Sequence, residues 1–322
     1  MTTFTDSNRS KFDFINTPAD ILWRDHAGND VLWFMNNNTP TGVATLPAVT
    51  PDWHFKAAAD FDSTGEIHAD ILWQNDNGAV VLWQMNETTV IASHELPNPG
   101  PAWHIVGDND FNNDTGDDIF FQNDNGSLAL WTITSAATPT ISGMFAGTQN
   151  PGPTWHVVGT GDADGDNKAG ILWQNDNGAL ALWEKPTLAA GTFTFDTVAA
   201  LPTVDASWHV KGMAEINGDA QADIVFQNDN GAVVIWEMGG VAGTTITSAN
   251  LVNLNPGPAW HIVGMRDMDG DVRNAEILFQ NDNGAAAIWE DYESLGGGSA
   301  TFHQVLAIDP NPNPNGHVWD LL

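Results

Sequence analysis

The chain has 322 residues, with 41 acidic against 9 basic side chains, a formal net charge of −32 and no cysteine. Such a charge repels nucleic acid and anionic membrane surfaces and makes cations the natural partners. Without thiols, neither disulfides nor thiolate metal sites can form.

At the N-terminus, the segment from Met1 to Ser7 has no basic stretch followed by an apolar run, and no later segment reaches the length of a membrane span. The expectation is a chain that inserts into no membrane, carries no cleavable N-terminal signal peptide and forms one domain over residues 1–322.

A unit of about fifty residues then recurs six times, the signature of a solenoid, propeller or array. All tryptophans fall on three of its positions. The first set is Trp53, Trp103, Trp155, Trp208, Trp260 and Trp319, and all but the last precede a histidine. The second occupies the end of an Ile-Leu-Trp-like triplet, at Trp23, Trp73 and Trp173, with Phe121, Phe226 and Phe279 in the same place elsewhere. The third is Trp33, Trp83, Trp131, Trp183, Trp236 and Trp289, always twelve residues after the start of the triplet.

Within a unit, Trp-His-Ile-Val (103–106) and its equivalents predict the first strand and the triplet predicts the second. Gln-Asn-Asp-Asn-Gly follows in five units, at 74–78, 122–126, 174–178, 227–231 and 280–284. Asn-Gly between apolar runs predicts a tight hairpin, read as a type I′ turn with positive φ at both central residues. The third strand, such as Ala79 to Trp83, is apolar at consecutive positions and so must be covered on both faces. A Thr-rich fourth strand and Asn-Pro-Gly-Pro segments at 98–101, 150–153 and 255–258 end the unit. The first unit lacks a Trp-His strand, and the segment from Asn313 to Leu322 resembles the missing lead-in. The predicted fold is therefore all-β: a six-bladed β-propeller of four-stranded antiparallel blades, its ring closed by the C-terminal strand completing the first blade.

Between the first strand and the triplet lies a cluster of oxygen side chains. The third unit has Asp110, Asn112, Asp114 and Asp118; the fourth has Asp162, Asp164 and Asp166, with Gly170 in the place of Asp118. The fifth has Glu215, Asn217, Asp219 and Asp223, and the sixth has Asp267, Asp269 and Asp271, with Glu276 beyond. The second offers Asp60 and Asp62, and the first has Phe12 and Phe14 instead. Alternating carboxylates on a tight loop supply the hard oxygen donors that Ca²⁺ takes, so these residues are candidate calcium ligands. In the fourth loop the last ligand is expected from backbone or water. The bland alternative is a set of Asp/Asn turns bonded to their own backbone.

The loops leading into Asp-Ile-Leu-Trp strands resemble the FG-GAP/VCBS repeat family, which includes bacterial secreted and surface proteins, the integrin α-subunit head and some fungal lectins. That resemblance implies a calcium-stapled propeller, with the loop residues above as its ligands, at the cell surface or outside the cell. It implies no particular activity, because the scaffold carries many.

The histidines after the first-set tryptophans read as hydrogen-bonded to a neighbouring turn, and the tryptophans as wedges between units. The repeated tip residues Gln74, Asp76, Gln122, Asp124, Gln174, Asp176, Gln227, Asp229, Gln280 and Asp282 are candidates for a polar groove binding sugar hydroxyls, against turn chemistry and duplication alone. The sole tyrosine, Tyr292, lies in a stretch from Glu290 to Gly298 that reads as a flexible surface loop. No nucleophile elbow, phosphate loop or metalloprotease motif is present. The expected function is a non-enzymatic adhesion or binding module for a glycan or cell-surface protein. The alternatives are a self-assembling scaffold and a hydrolase using one calcium at the channel mouth.

Overall fold

Each tip pentapeptide closes a hairpin through a bond from the glycine amide to the first asparagine carbonyl, as in Gly78 to Asn75 at 2.8 Å. In these turns positive φ belongs to the glycine alone, +88° at Gly78. The loop is thus a three-residue turn ending in a left-handed glycine, and the type I′ expectation is corrected.

The computed structural model describes residues 19–25, 28–36, 38–61, 69–134, 138–269, 274–308 and 319–321, with no helix among them. The first unit comprises β1 (Ile21–Asp25), β2 (Asp30–Asn36) and β3 (Thr39–Thr45), and the second β4 (Trp53–Ala59), β5 (Asp70–Asn75), β6 (Val80–Asn86) and β7 (Thr89–Leu96). The third has β8 (Trp103–Asn109), β9 (Asp118–Asn123), β10 (Leu128–Ile133) and β11 (Ile141–Gly147). The fourth has β12 (Trp155–Gly161), β13 (Gly170–Asn175), β14 (Leu180–Ala189) and β15 (Thr192–Leu201). The fifth has β16 (Trp208–Ala214), β17 (Asp223–Asn228), β18 (Val233–Gly239) and β19 (Thr245–Val252). The sixth has β20 (Trp260–Arg266), β21 (Glu276–Asn281), β22 (Ala286–Gly296) and β23 (Ser299–Ala307); β24 (Trp319–Leu321) comes last. Strand β24 pairs with β1, Asp25 opposite Trp319, and supplies the first unit's missing strand.

The all-β class is as expected, but a six-bladed propeller of separate four-stranded blades is not what forms. Among the described residues the sheets number four: β24-β1-β2-β3 and β4-β5-β6-β7 have four strands each, whereas the third and fourth units share one eight-stranded sheet and the fifth and sixth another. The joins are parallel, with Ala146 and Gly147 of β11 beside Thr192 and Phe193 of β15, and Leu251 and Val252 of β19 beside Ser299 and Ala300 of β23. Each eight-stranded sheet also curls until its end strands lie close, β8 near β12 and β16 near β20.

The cause is hairpin length. In the fourth and sixth units the third and fourth strands run 9 to 11 residues, long enough for the returning strand to reach its neighbour's outer edge. The stretch from Glu290, read as a surface loop, forms the second half of β22 as far as Gly296. Tyr292 is locked there, its hydroxyl donating to Glu237 at 2.9 Å and accepting from Asn250 at 3.1 Å across the join.

The core sits between units. Each buried apolar cluster spans two neighbours: Leu32 with Ile71, Leu82 with Ile119, Leu130 with Ile171, Leu182 with Ile224 and Ile235 with Ile277. A sixth joins Ile288 to Ile21, so the last unit packs on the first. Second-set and third-set rings meet in every unit, as in Trp73 and Trp83 with centroids 5.3 Å apart. Trp23, Trp73 and Trp173 are at most 1% exposed, as wedges should be.

Candidate functional site

The loops after β4, β8, β12, β16 and β20 begin with Asp60, Asp110, Asp162, Glu215 and Asp267. The backbone carbonyl of each accepts an amide from the next unit, from Asp117, Ala169, Ala222, Ala275 and Ala19 respectively, at 2.7 to 3.0 Å. The acidic loops therefore lie in the seams. The aspartates that open the second strands have a role the sequence reading missed. Asp20, Asp70, Asp118 and Asp223 accept the amides of Met35, Met85, Ile133 and Met238 at 2.9 to 3.2 Å, where the ladder to the fourth strand shifts register. A bulge frees an amide, and the buried carboxylate satisfies it.

In the third unit the four candidates come together. Asp110 accepts the amides of Asn112, Asn113, Asp114 and Thr115 at 2.6 to 3.3 Å, and Asp118 accepts those of Phe111 and Ile133. The side-chain amide of Asn112 donates to Asp114 at 3.0 Å and reaches Asp118 at 3.5 Å, so a nitrogen lies between the carboxylates. Burial pushes the Asp118 carboxyl up to about 8, with Asp114 and Asp110 adding repulsion and the two amides opposing it. The fifth unit is built alike. Glu215 accepts Gly218 at 2.6 Å, Asn217 donates to Asp219 at 3.3 Å, and burial raises Asp223 to about 8.

Two loops bring three carboxylates to one point, with oxygens within 4.8 Å of one another: Asp162, Asp164 and Asp166, and Asp267, Asp269 and Glu276. Hard oxygen donors at that separation fit Ca²⁺ chemistry. Asp271 and Asp62 lie outside the described residues, as do Phe12 and Phe14; Asp60 is buried, its amide donating to Asp117 of the third unit at 3.1 Å.

The fourth loop holds a residue that sequence reasoning missed. Close to its three acids stands a fourth, Glu184, the residue after the third-set Trp183. A β-carbon on Gly170 would fall within the Glu184 carboxylate, closer than 3.0 Å. Glu184 is 0% exposed, and neither of its oxygens has a hydrogen-bond partner. Burial first, then Asp164, Asp162 and Asp166, hold its carboxyl well above the usual range; the Ala163 amide opposes this without reaching bonding geometry. On the exposed side, the Lys185 ammonium lies 3.0 Å from Asp164. The signal in the sequence was the missing carboxylate at Gly170 beside an acid fourteen residues on; Glu237 and Glu290 hold the same place in the fifth and sixth units, but there Asp223 and Glu276 are present as well.

At the tips, glutamine and aspartate divide. Gln74 is buried and clasps the next unit's first strand, donating to the Trp103 carbonyl at 2.8 Å and accepting the Ile105 amide at 2.9 Å. Gln227 does the same to Trp260 and Ile262, and Gln122 donates to Trp155 at 2.5 Å. Gln280 is likewise buried, and Gln174 is partly so. In the first unit Arg24 takes the role, donating to the Trp53 carbonyl at 2.8 Å and lying over the Trp73 ring. The aspartates face solvent, and each meets its own unit's histidine at 2.7 to 2.8 Å: Asp76 with His54, Asp124 with His104, Asp176 with His156, Asp229 with His209 and Asp282 with His261.

One seam is looser than its fellows. β-carbons on Gly28, Gly78, Gly126 and Gly231 would collide with backbone of the next lead-in, at Val49, Gly100, Gly152 and Gly257. On Gly178 the nearest atom would be the Val204 carbonyl oxygen, 3.8 Å away. There the lead-in reads Thr203-Val-Asp-Ala-Ser207 in place of Asn-Pro-Gly-Pro. A cleft of about 350 Å³ opens, lined by His156, Asp176, Asn177, Asp205, Trp208 and His209 among others. Hydrogen bonds from Ser207 hold the Asp205 carboxyl below the usual range, so it presents a charged acceptor. No protein-family model matches the chain, and no curated protein matches it significantly.

Proposed function

We propose that this protein is a binding module acting outside the cell, its seams stapled by calcium and a glycan taken at the rim cleft between the fourth and fifth units. The observation that carries it is the convergence of three carboxylates in each of two seam loops, on oxygens within 4.8 Å, in a chain of net charge −32. Like charges held that close need a counter-ion, and oxygen-only donors favour calcium over softer metals.

The glycan part rests on the cleft. Its volume is at the small end of ligand pockets, and Trp208 offers an apolar ring beside the Asp176 and Asp205 acceptors and the Asn177 amide. This is the polar and aromatic mixture that suits sugar hydroxyls and C–H faces. A glycan array probed with and without chelator tests the reading. Calcium-dependent binding supports it; no bound glycan in either condition overturns the ligand assignment.

Self-assembly is the second reading. In the first and second units the outer strands β3 and β7 have no strand beyond them among the described residues, and Val43 and Ile91 on them are 62% and 55% exposed. Open edges of this kind pair with other chains. Concentration-dependent sedimentation with no glycan bound favours it.

A further inference from the structure

Five of the six units place a carboxylate at the start of the second strand, at Asp20, Asp70, Asp118, Asp223 and Glu276; the fourth has Gly170. Fourteen residues further on, the third unit has Thr132, while the fourth, fifth and sixth have Glu184, Glu237 and Glu290, so the fourth alone pairs this glutamate with no opening acid. The space that a side chain at 170 would use is filled by the Glu184 carboxylate. In the fourth unit the acid on the adjacent strand of the hairpin therefore occupies the place left open at Gly170.

The move changes what the carboxylate can do. Asp118 gives one oxygen to Phe111 and the other to Ile133, and Asp223 does likewise with Ile216 and Met238. Those carboxylates are occupied by backbone. Glu184 is 0% exposed, and both of its oxygens lack a hydrogen-bond partner. The charges acting on it are those of Asp164, Asp162 and Asp166, the three acids whose oxygens already converge. A buried carboxylate without hydrogen bonds is costly unless a cation completes it. Lys185 supplies one positive charge, from the exposed side and to Asp164; four carboxylates with one ammonium remain strongly negative.

We propose that Glu184 is the closing ligand of a divalent-cation site formed with Asp162, Asp164 and Asp166, its carboxylate occupying the place left open at Gly170. The inference rests on the reading that the seam loops hold calcium. It assigns the fourth loop a ligand set unlike that of its neighbours, drawn from two strands of one hairpin.

The experiment is calcium titration calorimetry of the full chain stripped with chelator, in parallel with melting curves in excess calcium and in excess chelator. Glu184→Gln keeps the shape and removes the charge. It is expected to abolish one binding event or weaken it by about tenfold or more. It should also lower the melting temperature with calcium and raise it with chelator, a crossover that general misfolding does not produce. Gly170→Asp combined with Glu184→Thr rebuilds the Asp118 and Thr132 arrangement, whose carboxylate is held by backbone amides, and should leave the binding event lost; its return would overturn the assignment. Unchanged stoichiometry and affinity in Glu184→Gln overturn the assignment while leaving calcium in the loops. A parent chain that binds no calcium overturns the loop reading itself and this inference with it.

Discussion

The amide of Ala19 donates to the carbonyl oxygen of Asp267 at 2.7 Å, tying the acidic loop of the sixth unit to the first strand of the first. The same bond links every earlier loop from the second unit onward to its successor. A cation in such a loop thus stiffens the contact between two units as well as its own turn.

Chelation is therefore expected to lower the melting temperature of the whole chain. A ligand present at a hundred times its dissociation constant stabilises the folded state by about 2.7 kcal/mol per independent site. Scanning calorimetry with calcium and with chelator checks this. Superimposable transitions remove calcium from the account.

The division of labour at the tips predicts unequal costs. Gln74→Ala deletes two bonds to the next unit and leaves the buried Trp103 carbonyl and Ile105 amide unpaired. A loss of about 2 kcal/mol is expected. Asp76→Ala breaks an exposed pair with His54 and should cost less than about 1 kcal/mol. Urea unfolding of the two variants measures both values, and equal losses would contradict the assignment.

Asp30 gives a pH dependence outside the acidic loops. Its carboxyl is raised from 3.8 to about 6 because burial outweighs the attraction of Arg24, whose Nε is 3.6 Å away, while Asp25 adds repulsion. Between those values the folded state binds the proton more tightly than the unfolded one. Stability from this group is therefore fully present below about pH 4 and lost as the pH rises through about 6. Relative to the parent chain, Asp30→Asn should gain in melting temperature over that window and hold the gain above it. A pH-independent difference would show that Asp30 ionises normally.

The rim cleft separates ligand binding from stability. Asp176→Ala is expected to weaken glycan binding by about tenfold with little change in melting temperature, in line with the loss of one charged hydrogen bond. Asp124→Ala has the same His–Asp chemistry at a closed seam and should leave glycan binding unchanged. Equal effects would place the ligand elsewhere.

Removing residues 319–322 takes away β24 and leaves β1 with an open edge. A lower melting temperature for the shortened chain is expected. An unchanged one would mean that this ladder contributes nothing to stability.

Much of this was legible from spacing. Triplets, tip glycines and third-set tryptophans placed the strands of each unit, because turn chemistry and burial act locally. The joins between units were not legible. Whether β15 reaches β11 depends on the length of a hairpin turning at Ala190 and Gly191, and an acidic, glycine-rich stretch such as Glu290 to Gly298 reads the same way whether it loops or extends. Gln74 could stand as a candidate sugar contact in the sequence because the partners it binds, Trp103 and Ile105, lie 29 and 31 residues away. Glu184 escaped notice for a related reason: its meaning depends on the absence of a side chain at Gly170.

The parallel joins β11–β15 and β19–β23 also make the molecule mechanically uneven. Two of its seams are sewn by backbone ladders as well as by side chains and loops, and the others have only the latter among the described residues. Pulled or partly denatured, the molecule should part first at the unsewn seams. Two double-unit pieces would then outlast the first and second units, and amide exchange would report protection in blocks rather than evenly from unit to unit.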